Sequence, residues 1–487
     1  MKALFSEYKI LLVIAIIIFI YPLSGFAQVD SIAGDYKREF ESFKQSGQQD
    51  FDSFRKKNDS IFISYLKDSW KTFDAIKSEM PSAHKPKEQP VFRNVNIKEE
   101  EIEPGNKRPP EEPLLEPVEP PVLPNKPRGI PMTTFDFCEV PVEIMKSAEP
   151  LPSLKSITPE HFVEFYEQAS QSPSMEYNAK YLFAEAGRLG LNDWGLVQIL
   201  MKAAETTFAY ANEQVLFTWY VLLRNGYDVK TGYDNDQVYL LVPSRQDLYN
   251  TLCFQIKGKS YFLLKLKHEP AVMNSINAYE EDYPGNEVRF SLIMDRLPSF
   301  PCKPMKRVIP YQDSLDIIID QNILDYLSTF PECDLVVQFS TPLSDLAASS
   351  FERALQKKVQ GKSDLEVTTY FLKLLQYGFP YMNDLDQFGF EKYMFAEQAL
   401  LFPYTDCDDR SVLLARLIKK FTHAKVIGLQ YPDHVALGVN FEEPLHEGVC
   451  IELEGLKYYF CDPTYIGADP GMIPPGYQGL NPEIVRF

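Results

Sequence analysis

The stretch from Phe402 to Tyr465 constrains the fold most, because three reactive residue types stand there at the ends of predicted elements. Cys407 begins a run whose apolar residues recur with helical spacing: Val412, Leu413, Leu414, Leu417 and Ile418. His434 opens the strand-like run HVALGV, and Asp462 ends a second strand-like run, KYYFCD. A thiol, an imidazole and a carboxylate are the groups that acyl transfer through a thioester needs. The sequence therefore predicts a nucleophile, a base and an acid that orients the base.

The predicted helix should also activate the thiol. Asp406 and Asp408 are acidic residues of the kind that mark helix N-termini. The first N–H groups and the positive end of the helix favour a thiolate over a thiol at Cys407.

These blocks resemble the transglutaminase-like superfamily, whose core is a papain-like α+β fold. The blocks that carry the resemblance run in the family's order: Thr405-Asp406-Cys407-Asp408-Asp409, Asp433-His434-Val435 and Asp462-Pro463-Thr464. The resemblance covers the last quarter of the chain and implies Cys407 as nucleophile, His434 as base and Asp462 as its partner. The chain departs from the family at Thr405, where glycine is usual, and at Ala436, where an aromatic residue is common. Both departures bear on the substrate more than on the chemistry.

The resemblance also suggests auxiliary residues. Glu397, Gln398 and Tyr404 lie shortly before Cys407, and one of them could polarise the scissile carbonyl. The alternative is that all three are structural. The backbone N–H of Cys407 itself is the more direct oxyanion donor.

The resemblance ranks three functions. A peptidase or amidase comes first, as in exported bacterial members of the family, and its substrate would be a peptide or protein. A non-catalytic scaffold, or a peptide- or glycan-binding protein that keeps the fold, is the alternative, and a protein cross-linking transglutaminase is the second alternative.

Residues 1–27 read as a signal peptide. Lys2 and Lys9 precede an apolar run over residues 10–20, and the small residues Gly25 and Ala27 favour cleavage before Gln28. The predicted location is therefore periplasmic or extracellular. The alternative is an uncleaved segment that anchors the chain in a membrane.

The seven cysteines are an odd number, so at least one stays a thiol in an exported chain, and Cys407 is the natural candidate. A hairpin with Gly455-Leu456 as its type II′ turn would place Cys450 directly opposite Cys461. The sequence thus predicts either a strained disulfide or two adjacent thiols at that pair.

Charge and residue spacing exclude several classes. The net charge of −19 argues against nucleic acid, because phosphate binding needs a basic face. No cysteine pair has the spacing of zinc ligands and the histidines are scattered, so neither a metal nor another cofactor is predicted.

Residues 28–80 carry an aromatic repeat. One row is spaced by 11 residues, and so is a second row: Phe40, Phe51, Phe62 and Phe73, then Phe43, Phe54, Tyr65 and Ile76. This period keeps each row on one stripe of a helix. It predicts an amphipathic helix that self-associates as a coiled coil over residues 30–80 or packs on its own chain.

The middle of the chain divides by composition. Residues 81–150 are rich in proline and glutamate and read as a linker. Residues 251–345 read as β-rich, with strands that include Val288–Asp295 and Leu335–Phe339, and residues 346–487 form the predicted catalytic core.

Residues 151–250 read as four helices followed by a hairpin. Asp236-Gln237-Val238 falls there where Asp433-His434-Val435 falls in the core. The region is either a degenerate copy of the core without its cysteine and histidine, or a generic helix-plus-hairpin.

Overall fold

The computed structural model describes residues 53–80, 123–126, 129–267 and 273–487. The chain divides into two compact units, residues 1–64 and residues 65–487. Separate antiparallel sheets and helices make the fold α+β, as predicted. The predicted signal peptide and residues 28–52 lie outside the described residues. Within the described ranges, no helix is long and apolar enough to cross a membrane.

The predicted long helix over residues 28–80 is wrong in its last part. Residues 53–68 are helical (α1), but two strands follow, β1 (Trp70–Asp74) and β2 (Ile76–Ser78). Both strands pair with open edges of a sheet, and their ladder hydrogen bonds outweigh the helical period of the aromatic rows.

The sheet that receives these strands closes on itself. Its remaining strands are β5 (Lys230–Asp234), β6 (Gln237–Val242), β7 (Thr251–Ile256), β8 (Lys259–Leu264) and β9 (Ser275–Tyr279). The order is β1-β9-β5-β6-β8-β7-β2, and only Ala75 separates the two edge strands in sequence. The segment from Trp70 to Ser78 therefore joins both edges and closes a small barrel. Apolar side chains from all around it fill the interior, including Leu241, Phe254 and Ile276.

The predicted linker over residues 81–150 also contains structure near its end. Strands β3 (Met132–Phe137) and β4 (Val140–Met145) form a hairpin. Its turn residues Cys138 and Glu139 both have positive φ, as a type I′ turn requires. Val142 and Ile144 are fully buried, so alternating apolar residues outweigh the proline-rich composition here.

The helices predicted between residues 151 and 250 are present. They are α2 (Pro159–Gln171), α3 (Pro173–Leu189), α4 (Asp193–Thr207) and α5 (Ala211–Arg224). The predicted hairpin follows as β5 and β6, and β7 and β8 lie at the start of the region predicted to be β-rich.

Two strand predictions in the next region are wrong. Residues 288–295 form isolated bridges at Val288 and Phe290 and no continuous strand. Leu335–Phe339 instead leads into helix α7 (Val336–Ser340), because a short apolar run fits a buried helix as well as a strand. A hairpin of β10 (Pro304–Ile309) and β11 (Leu315–Asp320) and helix α6 (Gln321–Leu327) complete this region.

The C-terminal region places a helix on a five-stranded sheet. Its helices are α8 (Asp345–Val359), α9 (Asp364–Gly378), α10 (Asp384–Gln387), α11 (Ala396–Leu401) and α12 (Cys407–Phe421). Its strands are β12 (Lys425–Tyr431), β13 (His434–Asn440), β14 (Cys450–Leu453), β15 (Leu456–Cys461) and β16 (Glu483–Val485). The strand order is β14-β15-β13-β12-β16. Helix α12 packs on one sheet face within the main apolar core, and a second apolar cluster covers the other face.

The predicted register of the β14–β15 hairpin is wrong by two residues. Cys450 pairs with Tyr459, and the turn is Glu454-Gly455, both with positive φ in a type I′ turn. All seven cysteines fall within the described residues and all are thiols, so the predicted disulfide from Cys450 to Cys461 is absent. A shift of two residues preserves the side-chain alternation. Ile451 and Phe460 lie on one face of the hairpin, in the same apolar cluster.

Candidate active site

Cys407 is the first residue of helix α12 and is fully buried. The helix begins there because the backbone N–H of Asp406 donates to the carboxylate of Asp409 at 3.1 Å, half of a capping box. Apolar residues at helical spacing then bury the same side of α12 in the core. The thiol thus lies where the unsatisfied N–H groups of a helix point.

His434 and Asp462 form a buried pair. His434 Nε2 lies 2.8 Å from Asp462 Oδ2, and both side chains are fully buried. Because a carboxylate only accepts, Nε2 carries the proton in this contact. Asp462 Oδ1 accepts the backbone N–H groups of Thr464 at 2.7 Å and Tyr465 at 3.1 Å. The turn after β15 therefore fixes the carboxylate, and the carboxylate fixes the imidazole.

The second ring nitrogen of His434, Nδ1, is placed to act as a base. Nδ1 is buried and has no hydrogen-bond partner among the described residues. With Nε2 protonated toward Asp462, a neutral imidazole presents the lone pair of Nδ1 as a base.

The helix and the strand of the site are held together directly. Ser411, one turn after Cys407, donates its hydroxyl to the carbonyl oxygen of Val435, the residue after His434, at 3.0 Å. This hydrogen bond holds the N-terminal part of α12 against the start of β13.

Tyr477 also belongs to the candidate site, and no pattern in the sequence predicts it. Its ring stacks on His434 with centroids 4.8 Å apart. Burial raises the pKa of Tyr477, and so do the nearby charges of Asp433, Cys407 and Asp462. A thiol close enough to affect this phenol, and an imidazole stacked on its ring, lie on the same small site. No motif precedes Tyr477, which belongs to the short 3-10 turn Pro475–Tyr477.

The carboxylate of Asp408 disfavours the thiolate form of Cys407. Cys407 Sγ lies 3.8 Å from Asp408 Oδ1, and the geometry fits donation of the S–H to the carboxylate. A carboxylate at this position favours the thiol, whereas the helix end and a protonated His434 favour the thiolate.

Arg410 joins the segments that carry the site. Its buried guanidinium donates to Thr405 Oγ1 at 3.1 Å, to the carbonyl oxygen of Pro463 at 3.4 Å and to that of Phe379 at 2.6 Å. It therefore links the residues just before Cys407 to the residue just after Asp462. Burial lowers the pKa of Arg410 to about 10, which leaves the group charged at neutral pH.

Two of the predicted auxiliary residues, Glu397 and Gln398, make hydrogen bonds that hold other elements of the fold. The carboxylate of Glu397 accepts from Asp320 N and from the backbone and hydroxyl of Ser344, each at 2.8 Å, so it ties β11 to the start of α8. Gln398 accepts from Phe395 N at 3.1 Å and caps the start of α11. Tyr404 is half-buried in the segment before Cys407. These hydrogen bonds favour the structural alternative for Glu397 and Gln398.

Buried acidic groups also cluster near the helix start. Asp384, Asp406 and Asp409 bring carboxylate oxygens within 4.8 Å of one another, a spacing that a cation could bridge. Backbone N–H groups of Lys392 and Met394 donate to Asp384 and Asp409. These bonds give the cluster a structural role in shaping the loop before α12.

Comparisons with known protein families, with curated proteins and with solved structures found no significant match to the chain.

Proposed function

We propose that the protein carries out thiol-dependent acyl transfer on amide bonds, as a peptidase or amidase of the transglutaminase-like type. The observation that carries the proposal is the buried His434–Asp462 pair, 2.8 Å apart, together with a cysteine at the start of a helix that Ser411 bonds to the strand of His434. A base whose proton position is fixed by a carboxylate is the requirement for activating a thiol.

The first half-reaction would acylate the thiol. His434 Nδ1 takes the proton of Cys407, and Sγ attacks the carbonyl carbon of the amide. The backbone N–H of Cys407 would stabilise the oxyanion, and Asp462 would stabilise the imidazolium. When the C–N bond breaks, His434 gives its proton to the leaving amine and a thioester remains on Cys407.

The second half-reaction would release the acyl group. Water gives up a proton to His434 Nδ1 and attacks the thioester, and the carboxylic acid leaves as the thiol regains its proton. If an amine takes the place of water, the same steps form a new amide, which is the cross-linking alternative.

A binding protein without catalysis is the second candidate, and burial favours it. Cys407, His434 and Asp462 are each at most 1% exposed, and Tyr477 lies over the imidazole. In that case the buried residues would only stabilise the fold, and other surfaces of the protein would bind the ligand.

Thiol labelling separates the two candidates. Iodoacetamide should label Cys407 near neutral pH faster than Cys302, an exposed thiol whose pKa is raised by partial burial and by Asp320. His434→Ala should slow labelling of Cys407 by at least about tenfold and leave Cys302 unchanged. Equal, slow labelling of Cys407 in both proteins would favour the binding protein.

A peptide library then tests the reaction itself. Hydrolysis of amides by the wild type, abolished in Cys407→Ala and retained in Cys302→Ala, is the expected result. New amide products that appear only when a primary amine is added would assign the cross-linking reaction instead.

A further inference from the structure

Tyr431 carries a buried hydroxyl that has no hydrogen-bond partner among the described residues. The residue ends strand β12 of the second sheet, β14-β15-β13-β12-β16, and its side chain is only 3% exposed. A buried hydroxyl without a partner destabilises the folded state, so most buried hydroxyls in native proteins are paired. The hydroxyl of Tyr431 therefore calls for a functional explanation.

The strand register places Tyr431 next to the base of the candidate active site. Only Pro432 and Asp433 separate β12 from β13, and Tyr431 pairs directly with His434. Directly opposed residues of an antiparallel pair project from the same face of the sheet, with Cβ atoms about 4.5–5.5 Å apart. The phenol and the imidazole are therefore cross-strand neighbours.

Aromatic contacts hold the phenol at this end of the sheet. The ring of Tyr431 lies 5.3 Å from the ring of Tyr477, which itself stacks on His434. The ring of Phe460, two residues before Asp462, lies 6.3 Å away on the same face. The packing that surrounds the imidazole thus also surrounds the phenol.

The catalytic acid lies near the phenol but makes its hydrogen bonds elsewhere. Asp462 Oδ2 pairs with His434, and Oδ1 accepts two backbone N–H groups. Burial raises the pKa of Tyr431, and the charge of Asp462 raises it further. The hydroxyl therefore keeps its proton near neutral pH, where it can donate a hydrogen bond but cannot act as a base.

The hydroxyl and the imidazole together offer one donor and one acceptor to a ligand. The donor is the O–H of Tyr431, and the acceptor is Nδ1 of His434, which is also buried and without a hydrogen-bond partner in the part of the chain that the structure describes. The intermediate of acyl transfer presents the complementary groups. Its oxyanion accepts hydrogen bonds, and its leaving amine takes a proton from the base.

We propose that Tyr431 is a further catalytic residue, whose hydroxyl donates a hydrogen bond to the oxyanion that forms when Cys407 attacks the scissile carbonyl. This inference rests on the proposed function, and it adds a second donor to the backbone N–H of Cys407. The phenol keeps its proton throughout, so the proton transfers still run through His434. Because the hydrogen bond strengthens as charge develops on the oxygen, it lowers the barrier more than it tightens substrate binding.

Kinetics of Tyr431→Phe in the full-length protein test the proposal, with the library peptide that the wild type cleaves fastest. We expect kcat to fall about 100-fold, the size of effect that loss of one oxyanion donor has, while KM changes by less than about twofold. The loss should be the same from pH 6 to 9, since the phenol stays protonated over that range. Labelling of Cys407 by iodoacetamide should be unchanged, because alkylation of a thiol forms no oxyanion.

Thermal unfolding distinguishes this role from a structural one. Since the hydroxyl has no partner in the fold, Tyr431→Phe should unfold at the wild-type temperature or above it. Tyr458→Phe is the matched control and should keep the wild-type kcat. Tyr458 belongs to the same apolar cluster, but its phenol lies near the charges of Glu454 and Arg486.

The possible failures have different signatures. Wild-type kcat in Tyr431→Phe, in a protein that Cys407→Ala inactivates, would overturn the role of Tyr431 and leave the proposed function standing. Slower labelling together with a lower unfolding temperature in Tyr431→Phe would show a structural role and would also overturn the inference. A wild type that cleaves no peptide would contradict the proposed function, and the role of Tyr431 would fall with it.

Discussion

Ser411 Oγ lies 3.0 Å from the carbonyl oxygen of Val435, and the two residues belong to the helix and the strand that carry the thiol and the imidazole. Both residues are buried, so no water replaces this bond. It is a direct cross-link between α12 and β13 at the candidate site. Together with the apolar packing of the same two elements, this bond fixes the helix of the thiol against the strand of the imidazole.

Replacing that hydroxyl should loosen the site. Ser411→Ala leaves a buried carbonyl unsatisfied at a cost of about 1–3 kcal/mol, and it lets the start of α12 shift on β13. We expect a lower thermal unfolding midpoint and at least about tenfold slower labelling of Cys407 by iodoacetamide. Thr422→Ala is the control, since its hydroxyl bonds Ile418 O at 2.9 Å at the far end of the same helix. If both variants label equally, the Ser411 bond has no part in positioning the thiol.

Tyr477 should control access to the thiol. Its ring stacks on His434 and Cys407 is fully buried, so we expect the turn at Pro475–Tyr477 to move before a reagent reaches the thiol. Tyr477→Ala should speed labelling of Cys407 severalfold, whereas Tyr477→Phe keeps the ring and should speed it less. Slower labelling in the alanine variant would show instead that Tyr477 supports the imidazole in its reactive position.

The order of the reactive residues could be predicted because each stands at the end of an element with a strong local pattern. Cys407 precedes a helical apolar period, and His434 and Asp462 flank alternating strands. Tyr477 could not be predicted in this way. It lies 43 residues beyond His434, in a turn without apolar periodicity, and only tertiary packing brings the rings together.

The errors in the fold have similar causes. Gly455 suits the second position of a type I′ turn as well as the first of a type II′ turn, so the sequence placed the hairpin two residues out of register. The aromatic period before residue 80 favours a helix locally, and nothing local reveals the two sheet edges that β1 and β2 fill. In the second case the deciding partners, β9 and β7, are distant in sequence.

Glu332 should make stability depend on pH. Burial raises the pKa of Glu332 from 4.5 to about 7, although the ammonium group of Lys392 lies 3.9 Å away. Between these two pH values the folded protein keeps the proton on Glu332, whereas the unfolded chain has released it. Its contribution to stability is therefore present below about pH 4.5 and is lost as pH rises toward 7. Glu332→Gln should remove this loss and stabilise the protein above pH 7 by up to about 3 kcal/mol. Thermal unfolding from pH 5 to 8 checks the effect. Glu143→Gln, at an exposed glutamate, should follow the wild-type profile.

Trp70 should anchor the strand that closes the barrel. Its ring lies 4.8 Å from Phe162, 5.3 Å from Tyr233 and 5.7 Å from Tyr279, and its indole N–H donates to Leu66 O at 2.7 Å. Trp70→Ala removes these contacts and should cost about 3 kcal/mol, measured as a lower thermal unfolding midpoint.

The control for Trp70 lies next to it on the same strand. Lys71 is more than half exposed and pairs with Glu280 at the surface, so Lys71→Ala should cost less than about 1 kcal/mol. Because β1 pairs with β9 of the first sheet and with no strand of the second, we expect Cys407 to label at the wild-type rate in both variants. Slower labelling in Trp70→Ala alone would show that closure of the barrel also supports the candidate active site. An unchanged unfolding midpoint in that variant would show that the closing strand is held by its hydrogen bonds without the indole.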